Sequence, residues 1–311
     1  MTAISQTQIK DLALSAASEL VVDKLPTNDL QRILPFTPID GYELKLAGVD
    51  ASATLASHAG IETEGGTLQA SIPALANRTH VLSRISAVLE AYTITQDKYN
   101  TVSDILETLL ELKARAVRDV FCGKFYRGDS AVTGEFDGLN KLATSYSQEF
   151  GANNDAGDGG TVQKKELPRL RAMVQVNRTG AEVLFVMHAS AFQHLLAVNY
   201  ADLEFVNHPI LGMVPALVGT PIAFDNYIST TETKGSGTNL TSIYCIALGR
   251  GVGVSGIVPR GGVGGEIRVR GPITNASTGL MTYQVSWDVG IAAWNKAGFA
   301  RMNGVAWQNV T

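Results

Sequence analysis

The stretch Thr101–Phe121, TVSDILETLLELKARAVRDVF, decides how the rest of the chain is read. Apolar side chains recur at Val102, Ile105, Leu106, Leu109, Leu110, Leu112, Ala116, Val117, Val120 and Phe121, the three-to-four spacing that gathers them on one face of an α-helix. Thr101 and Asp104 have the spacing of a capping box, whose side-chain oxygens accept from amides that no earlier turn satisfies. Glu111 and Arg115 stand four apart with the acid first, the favourable order on a polar face. Gly123 is expected to stop the helix, because glycine enters the left-handed conformation without steric cost. About twenty residues rising 1.5 Å each make a rod of roughly 30 Å. The sequence before this rod reads as extended and thinly packed, and the sequence after it as compact α+β.

Composition agrees with a covered surface. Charged residues make up 17% of the 311, while the apolar share is 45%. Soluble domains carry about a quarter charged residues at that apolar content. The shortfall points to surface that other subunits cover. A formal net charge of −4 argues against a protein that grips phosphate backbones, though not against one that encloses nucleic acid without sequence-specific contacts. Cys122 and Cys245 lie in or beside apolar runs and read as buried small hydrophobes in a reducing compartment. No basic region leads into an apolar one at the N-terminus, and the most apolar window, Gly212–Phe224, is broken by Pro215 and Pro221. Neither a secretory signal nor a membrane span is expected.

In chain order, residues 5–22 predict a short amphipathic helix, and Pro26, Pro35 and Pro38 then force an extended arm. Tyr42–Leu46 alternates as a strand does, residues 48–77 are rich in Ala, Ser, Thr and Gly around Gly65-Gly66, and His80–Thr95 is strand-like again. The simplest geometry is a long two-stranded ribbon, which needs a surface to lie against. After the rod come a glycine-punctuated segment, 123–143, and an exposed polar loop, 150–160. A helix is expected over Lys164–Val176, a strand over Ala181–Met187 and a helix over Ser190–Val198 from a serine cap. Strands are expected over Thr220–Ile228 and Ser242–Leu248 around a polar turn, then a glycine-rich loop over Gly249–Gly265. Glu266–Arg270, Leu280–Asp288 and Gly290–Arg301 close the chain as β-type segments.

Short motifs for chemistry fail on their context. Gly251, Gly253 and Gly256 match G-x-G-x-x-G, but Pro259 and more glycines follow where a helix would have to begin. Ser130 in a turn, with His188, His194 or His208 as base, lacks every nucleophile-elbow pattern. His188 and His194 have no common metal spacing. Asn153, Asn154, Asp155 and Asp158 miss the calcium-loop order and its closing glutamate. The sequons at Asn77, Asn177, Asn239 and Asn275 matter only in a secreted chain. No catalytic residue, cofactor site or metal site is expected.

The order of arm, ribbon, long helix and glycine-rich α+β body resembles the tailed-bacteriophage major capsid proteins of the Hong Kong 97 type. The residues that carry the resemblance are Gly123-Lys-Phe-Tyr-Arg-Gly128-Asp after the helix, then Gly134-Glu-Phe136-Asp-Gly138-Leu139, with Gly219-Thr-Pro221 leading into a strand. The resemblance implies an N-terminal arm at 1–45 and an extended E-loop at 46–80. It implies a peripheral P-domain at 81–165 and 263–290 with its spine helix at 101–122, and an axial A-domain at 166–262 and 291–311. It further implies a structural protein whose pentamers and hexamers tile an icosahedral shell around double-stranded DNA in a virion built in the bacterial cytoplasm, with a portal. The chain has no room for a scaffolding segment ahead of the arm, so a separate scaffolding protein, or assembly without scaffold, is implied. Glu62, Glu64, Arg78 and Arg84 are the expected subunit contacts near the ribbon. Some members join subunits by an isopeptide bond from an E-loop lysine, but no lysine occurs here between Lys45 and Lys98, so a non-covalent shell is expected. An encapsulin, the same fold used as a protein container, is the nearest rival; the polar loop and the chain length favour the phage reading. An enzyme with an unrecognised site is the alternative from another class.

Overall fold

The structure is a computed structural model that describes residues 28–49, 75–92, 102–176, 181–199, 203–260, 267–275 and 279–308. The helix expected at 5–22, the ribbon tip and the Thr101 cap lie outside these residues.

A short helix, α1 (Asp29–Ile33), leads into the strands β1 (Phe36–Ile39), β2 (Glu43–Val49), β3 (Leu75–Val81) and β4 (Ser83–Tyr92). The long helix α2 (Val102–Arg127) and then α3 (Leu139–Ser145), β5 (Glu149–Gly151) and α4 (Glu166–Met173) follow. The remainder runs β6 (Val183–Met187), α5 (Ala189–Asn199), β7 (Leu203–His208), β8 (Gly212–Leu217), β9 (Thr220–Phe224), β10 (Glu232–Lys234), β11 (Gly237–Ala247), β12 (Val254–Pro259), β13 (Arg268–Asn275), β14 (Leu280–Ala293) and β15 (Phe299–Ala306).

Two sheets organise the body. The larger has eight strands in the order β5-β15-β11-β6-β9-β8-β7, with β10 paired to β11. Side chains alternate across a strand, and β11 shows what that does here. Ile243, Cys245 and Ala247 enter one core, shared with Leu167 and Leu170 of α4 and Ala191 and Leu195 of α5. Tyr244 and Ile246 enter another, shared with Val117, Phe121 and Phe125 of α2 and Leu139 and Leu142 of α3. A strand buried on both faces reads as a continuous apolar run, and SIYCIAL is one. The second sheet runs β1-β12-β14-β13, with β4 also on β14. Leu280–Ser286 is flanked by β4 and β13, while Val254–Ile257 pairs with Gly290–Ala293. Among the described residues β2 and β3 pair only with each other, from Glu43↔Val81 to Val49↔Leu75, which makes the expected ribbon. Its return strand, however, is Leu75–Val81, and the run expected to form it, His80–Thr95, mostly becomes β4 on β14.

Three expectations are corrected. The long helix does not stop at Gly123 but continues to Arg127. The next turn carries Phe125 and Tyr126, 3% and 1% exposed, and their burial outweighs the roughly 1 kcal/mol that an interior glycine costs a helix. Of the apolar positions, Leu106, Val117 and Phe121 form the buried stripe, whereas Ala116 and Val120 face outward. The segment 28–39, read as free arm, belongs to the body. Asn28 caps α1 through the Gln31 amide, Leu30, Ile33 and Leu34 are buried, and β1 lies parallel to β12. The glycine-rich stretch 249–265 is not loop throughout, since 254–259 is a strand of the second sheet. Smaller shifts follow from strand pairing: β14 runs on to Ala293, and the last segment divides into a 3-10 turn and β15.

Candidate assembly surfaces

The turn after the long helix is built on two glycines. Gly128 donates to Lys124 O at 2.8 Å and ends α2, and Gly138 donates back to Gly128 O at 2.8 Å. The backbones press so closely that a methyl group on Gly128 would lie 2.3 Å from Phe136 O, and one on Gly138 would lie 2.6 Å from Gly128 N. That closure drops Phe136 and Leu139 into the core, 2% and 0% exposed. Lys124 and Glu135 pair across the turn, and Lys141 reaches Asp129 at 3.3 Å. Of the five residues singled out here, Gly128, Phe136, Gly138 and Leu139 are brought together, while Gly123 sits within the helix with only the Arg127 side chain near.

Arg78 lies on the ribbon strand β3, and Arg84 lies on β4 of the second sheet. On β3, Asn77 and Thr79 are exposed, whereas His80 is buried and Arg78 half-buried. The Arg78 guanidinium stands 5.4 Å from the centre of the Tyr146 ring, with Lys296 Nζ 6.0 Å from the same ring. Arg78 Nε and Nη1 are buried without a hydrogen-bond acceptor. His80, hydrogen-bonded to the Ala293 backbone, is pushed down to about 4 by burial. Arg84 opposes Asp288 on β14 and holds it through two bonds, at 2.7 and 3.1 Å. Each arginine is therefore engaged within its own chain. Glu62 and Glu64 lie outside the described residues.

Large apolar side chains stand exposed in two further places. The β7–β8 hairpin presents Phe205 and Met213, 65% and 78% exposed, together with Ile210 and Val218. Edge strand β13 presents Val269 and Ile273. The hairpin escaped the sequence reading, although Leu203–His208 is a β-type run and a glycine opens its return strand.

The residues weighed for chemistry serve the fold. Ser130 donates its amide to Asp137 Oδ1 at 2.9 Å, inside the turn. His188 Nδ1 accepts from the Ser190 amide, and His208 holds Glu182 through Nε2 while its Nδ1 accepts from the amides of Ile210 and Leu211. His194 is 2% exposed, and burial lowers its pKa. Around the polar loop, Asp155 accepts from Gly151 at 2.6 Å and Asp158 from Ser236 at 2.8 Å, and Gly160 pairs with β15. Buried Glu166, missed by sequence reasoning, ties the loop down through the amides of Asn154 and Gln163. Among the described residues no group of His, Cys, Asp and Glu is placed to hold a metal ion, and no helix is long and apolar enough to cross a membrane. Gly251 opens a turn into a strand. Cys122 and Cys245 are free and buried, and burial pushes both thiols up to about 12.

The sequence matches no protein-family model and no curated protein. Solved structures do match. The SrpI encapsulin of Synechococcus elongatus PCC 7942, in its holo complex, is 18% identical with a TM-score of 0.68, over 100% of this chain and 99% of that one. The capsid of an empty GTA particle is 16% identical with a TM-score of 0.58, over 94% and 98%. A chain of Mycobacterium phage Adephagia is 13% identical with a TM-score of 0.57, over 97% and 98%. The encapsulin chain is covered end to end, so length does not separate the phage reading from the encapsulin one. The chain, an α+β body with a 26-residue helix, therefore has the Hong Kong 97-type capsid fold.

Proposed function

We propose that this chain is the structural subunit of a closed shell, assembling with copies of itself into pentamers and hexamers. The observation that carries the reading is the match of the whole chain to a capsid and an encapsulin. Supporting it are a ribbon whose strands pair with no other strand among the described residues, exposed apolar side chains on β7–β8 and β13, and a sequence with 17% charged residues. Such contacts are heterologous and close into rings. The body divides into a P-domain around α2 and β14 and an A-domain around β11, with the ribbon as E-loop. In the phage form the shell is a virion capsid made in the host cytoplasm, holding DNA without sequence-specific contacts and using a portal and a separate scaffolding protein. The chain acts by packing and not by catalysis.

The coverage of the encapsulin, 100% and 99%, favours a second form of the same reading, a container for protein cargo. Negative-stain electron microscopy and sedimentation velocity of the purified chain test both. Closed shells or rings are expected. Nucleic acid inside particles from the native source selects the capsid, and a co-purifying enzyme inside selects the container. A subunit that stays monomeric at high concentration, with or without lysate of its source, overturns the shell.

A further inference from the structure

Residues 28–34 rest on the body where acidic groups meet with no cation, among the described residues, bonded between them. Asp225, directly after β9, is 2% exposed. Its Oδ1 accepts from the Tyr227 amide at 2.9 Å and its Oδ2 from the Tyr126 hydroxyl at 2.6 Å. The Asp225 backbone bridges to Asn28, and one residue on, Asp29 Oδ2 accepts from the Phe224 amide at 3.1 Å. Cys122 lies beneath: Asn28 Nδ2 donates to its sulfur at 3.0 Å, and the thiol donates to Gln31 Oε1 at 3.2 Å. Arg118 reaches the same place, yet its Nε donates to Gln31 Oε1 at 2.5 Å and to neither carboxylate. The other titratable groups facing the seat are Asp119 on α2, which accepts from the Tyr227 hydroxyl at 2.5 Å, and Tyr244 on β11, with its ring 5.2 Å from that of Tyr126.

We propose that Asp225 is a proton-operated latch: residues 28–34 stay seated over its neutral carboxyl and lift away more readily when it ionises. The inference rests on the fold and not on the shell reading. Burial pushes the Asp225 carboxyl from the usual 3.8 up to about 7; Asp29 adds to the rise, and the bonds from Tyr126 and Tyr227 oppose it. An ionised carboxylate without a bonded cation is costly in such a place, whereas the neutral acid carries no charge to desolvate. When residues 28–34 lift, Asp225 meets water and returns toward its ordinary range, releasing its proton to solvent. The seated form thus binds the proton more tightly than the lifted form. Lifting becomes easier as pH rises through the acid range and levels off once the seated form has also lost its proton, near pH 7.

Cys122 reports on the seat. Its thiol is 3% exposed and pushed up to about 12 while residues 28–34 cover it, and it becomes an ordinary thiol when they lift. The full chain is alkylated with iodoacetamide from pH 5 to pH 8.5, and rates at each cysteine are read by mass spectrometry and corrected for the thiolate fraction of a free thiol. Cys245, 0% exposed in the other core, is the internal reference. The expected Cys122 rate rises by up to about tenfold per pH unit from pH 5 and levels off near pH 7, with Cys245 protected throughout. Asp225→Asn removes the rise. Tyr126→Phe deletes a donor that favours the ionised form, so it moves the levelling to higher pH and serves if the asparagine variant does not fold. A flat Cys122 profile, equal labelling of both cysteines, a rise that persists in Asp225→Asn, or an unshifted profile in Tyr126→Phe would overturn the latch.

Discussion

Gly123 and Gly128 are five residues apart, and the structure gives them opposite roles. A methyl group on Gly123 meets nothing closer than Arg127 Nη2 at 3.6 Å, the end of a flexible side chain. One on Gly128 lies 2.3 Å from Phe136 O and 2.8 Å from Lys124 O, backbone atoms that hold the helix end and the next turn together. Gly123→Ala is therefore expected to stabilise the chain by about 1 kcal/mol, the helical preference of alanine over glycine. Gly128→Ala should destabilise it by about 1–3 kcal/mol or more, the usual scale for forcing atoms into a filled core. Urea unfolding midpoints of the two variants check this, and equal shifts would refute the distinction. The sequence shows two glycines at a helix end but not which one lets two backbones touch, because that contact is made with Gly138, ten residues beyond Gly128. Arg84 teaches a similar lesson. It looked free for a neighbour because its partner, Asp288, is 204 residues away. With Arg84 half exposed, its pair with Asp288 is expected to contribute only about 0.2–1 kcal/mol in a double-mutant cycle.

At the scale of elements, the sequence is legible where periodicity is strong and illegible where tertiary contact overrides composition. The rod, the buried run of β11 and the outgoing ribbon strand follow from spacing. The returning strand Leu75–Val81 lies in the small-residue stretch, and most of the strand-like run His80–Thr95 is β4, paired with β14. β1 does not follow from spacing either, because Pro35 and Pro38 argue against pairing; β1 is an edge strand, where a missing amide is tolerated. β12 was hidden by its glycines. Gly256 is there because the Phe36 ring occupies the space where a side chain would stand, and a methyl group on Gly256 would lie 2.4 Å from the ring atoms. That ring packs 5.8 Å from Trp287 and 6.1 Å from Phe121. The ribbon base yields a prediction in pH. The unfolded chain protonates His80 from about 6.5 downward, but the folded chain keeps it neutral until about 4. Stability should therefore fall as pH drops from 6.5 to 4, by an amount on the order of 3 kcal/mol from this group. Asp225 acts oppositely over most of that range, since its folded carboxyl is the better proton binder. The wild-type chain is accordingly expected to show a flatter urea midpoint between pH 6.5 and 4 than His80→Leu, which should gain stability relative to wild type toward acid. A His80→Leu profile parallel to wild type would refute it.

At the scale of the whole molecule, the question is how a ribbon whose strands, among the described residues, hydrogen-bond only to each other contributes to a shell. A two-stranded ribbon is marginal alone, so in the proposed assembly its cover comes from a neighbouring copy. Replacing residues 50–74 by a two-residue turn leaves every described core residue in place, and the subunit should keep its melting temperature while forming no closed shells in negative stain. Shells of unchanged yield would remove the ribbon from the assembly contacts. Whether the ribbon bonds covalently to that neighbour turns on amines. An isopeptide bond needs a lysine that reaches the adjoining subunit and has lost its proton. Between Lys45 and Lys98 the sequence offers none. Lys45 itself sits at the fixed base, on β2, where its amine pairs with Glu43 at 2.8 Å. That hydrogen bond and the charge behind it raise the Lys45 pKa and hold it as an ammonium, which has no lone pair to attack an amide. Assembled particles boiled in detergent should therefore release a single band at the subunit mass of 33.1 kDa, and a ladder of multiples would show that another amine has taken the missing lysine's place.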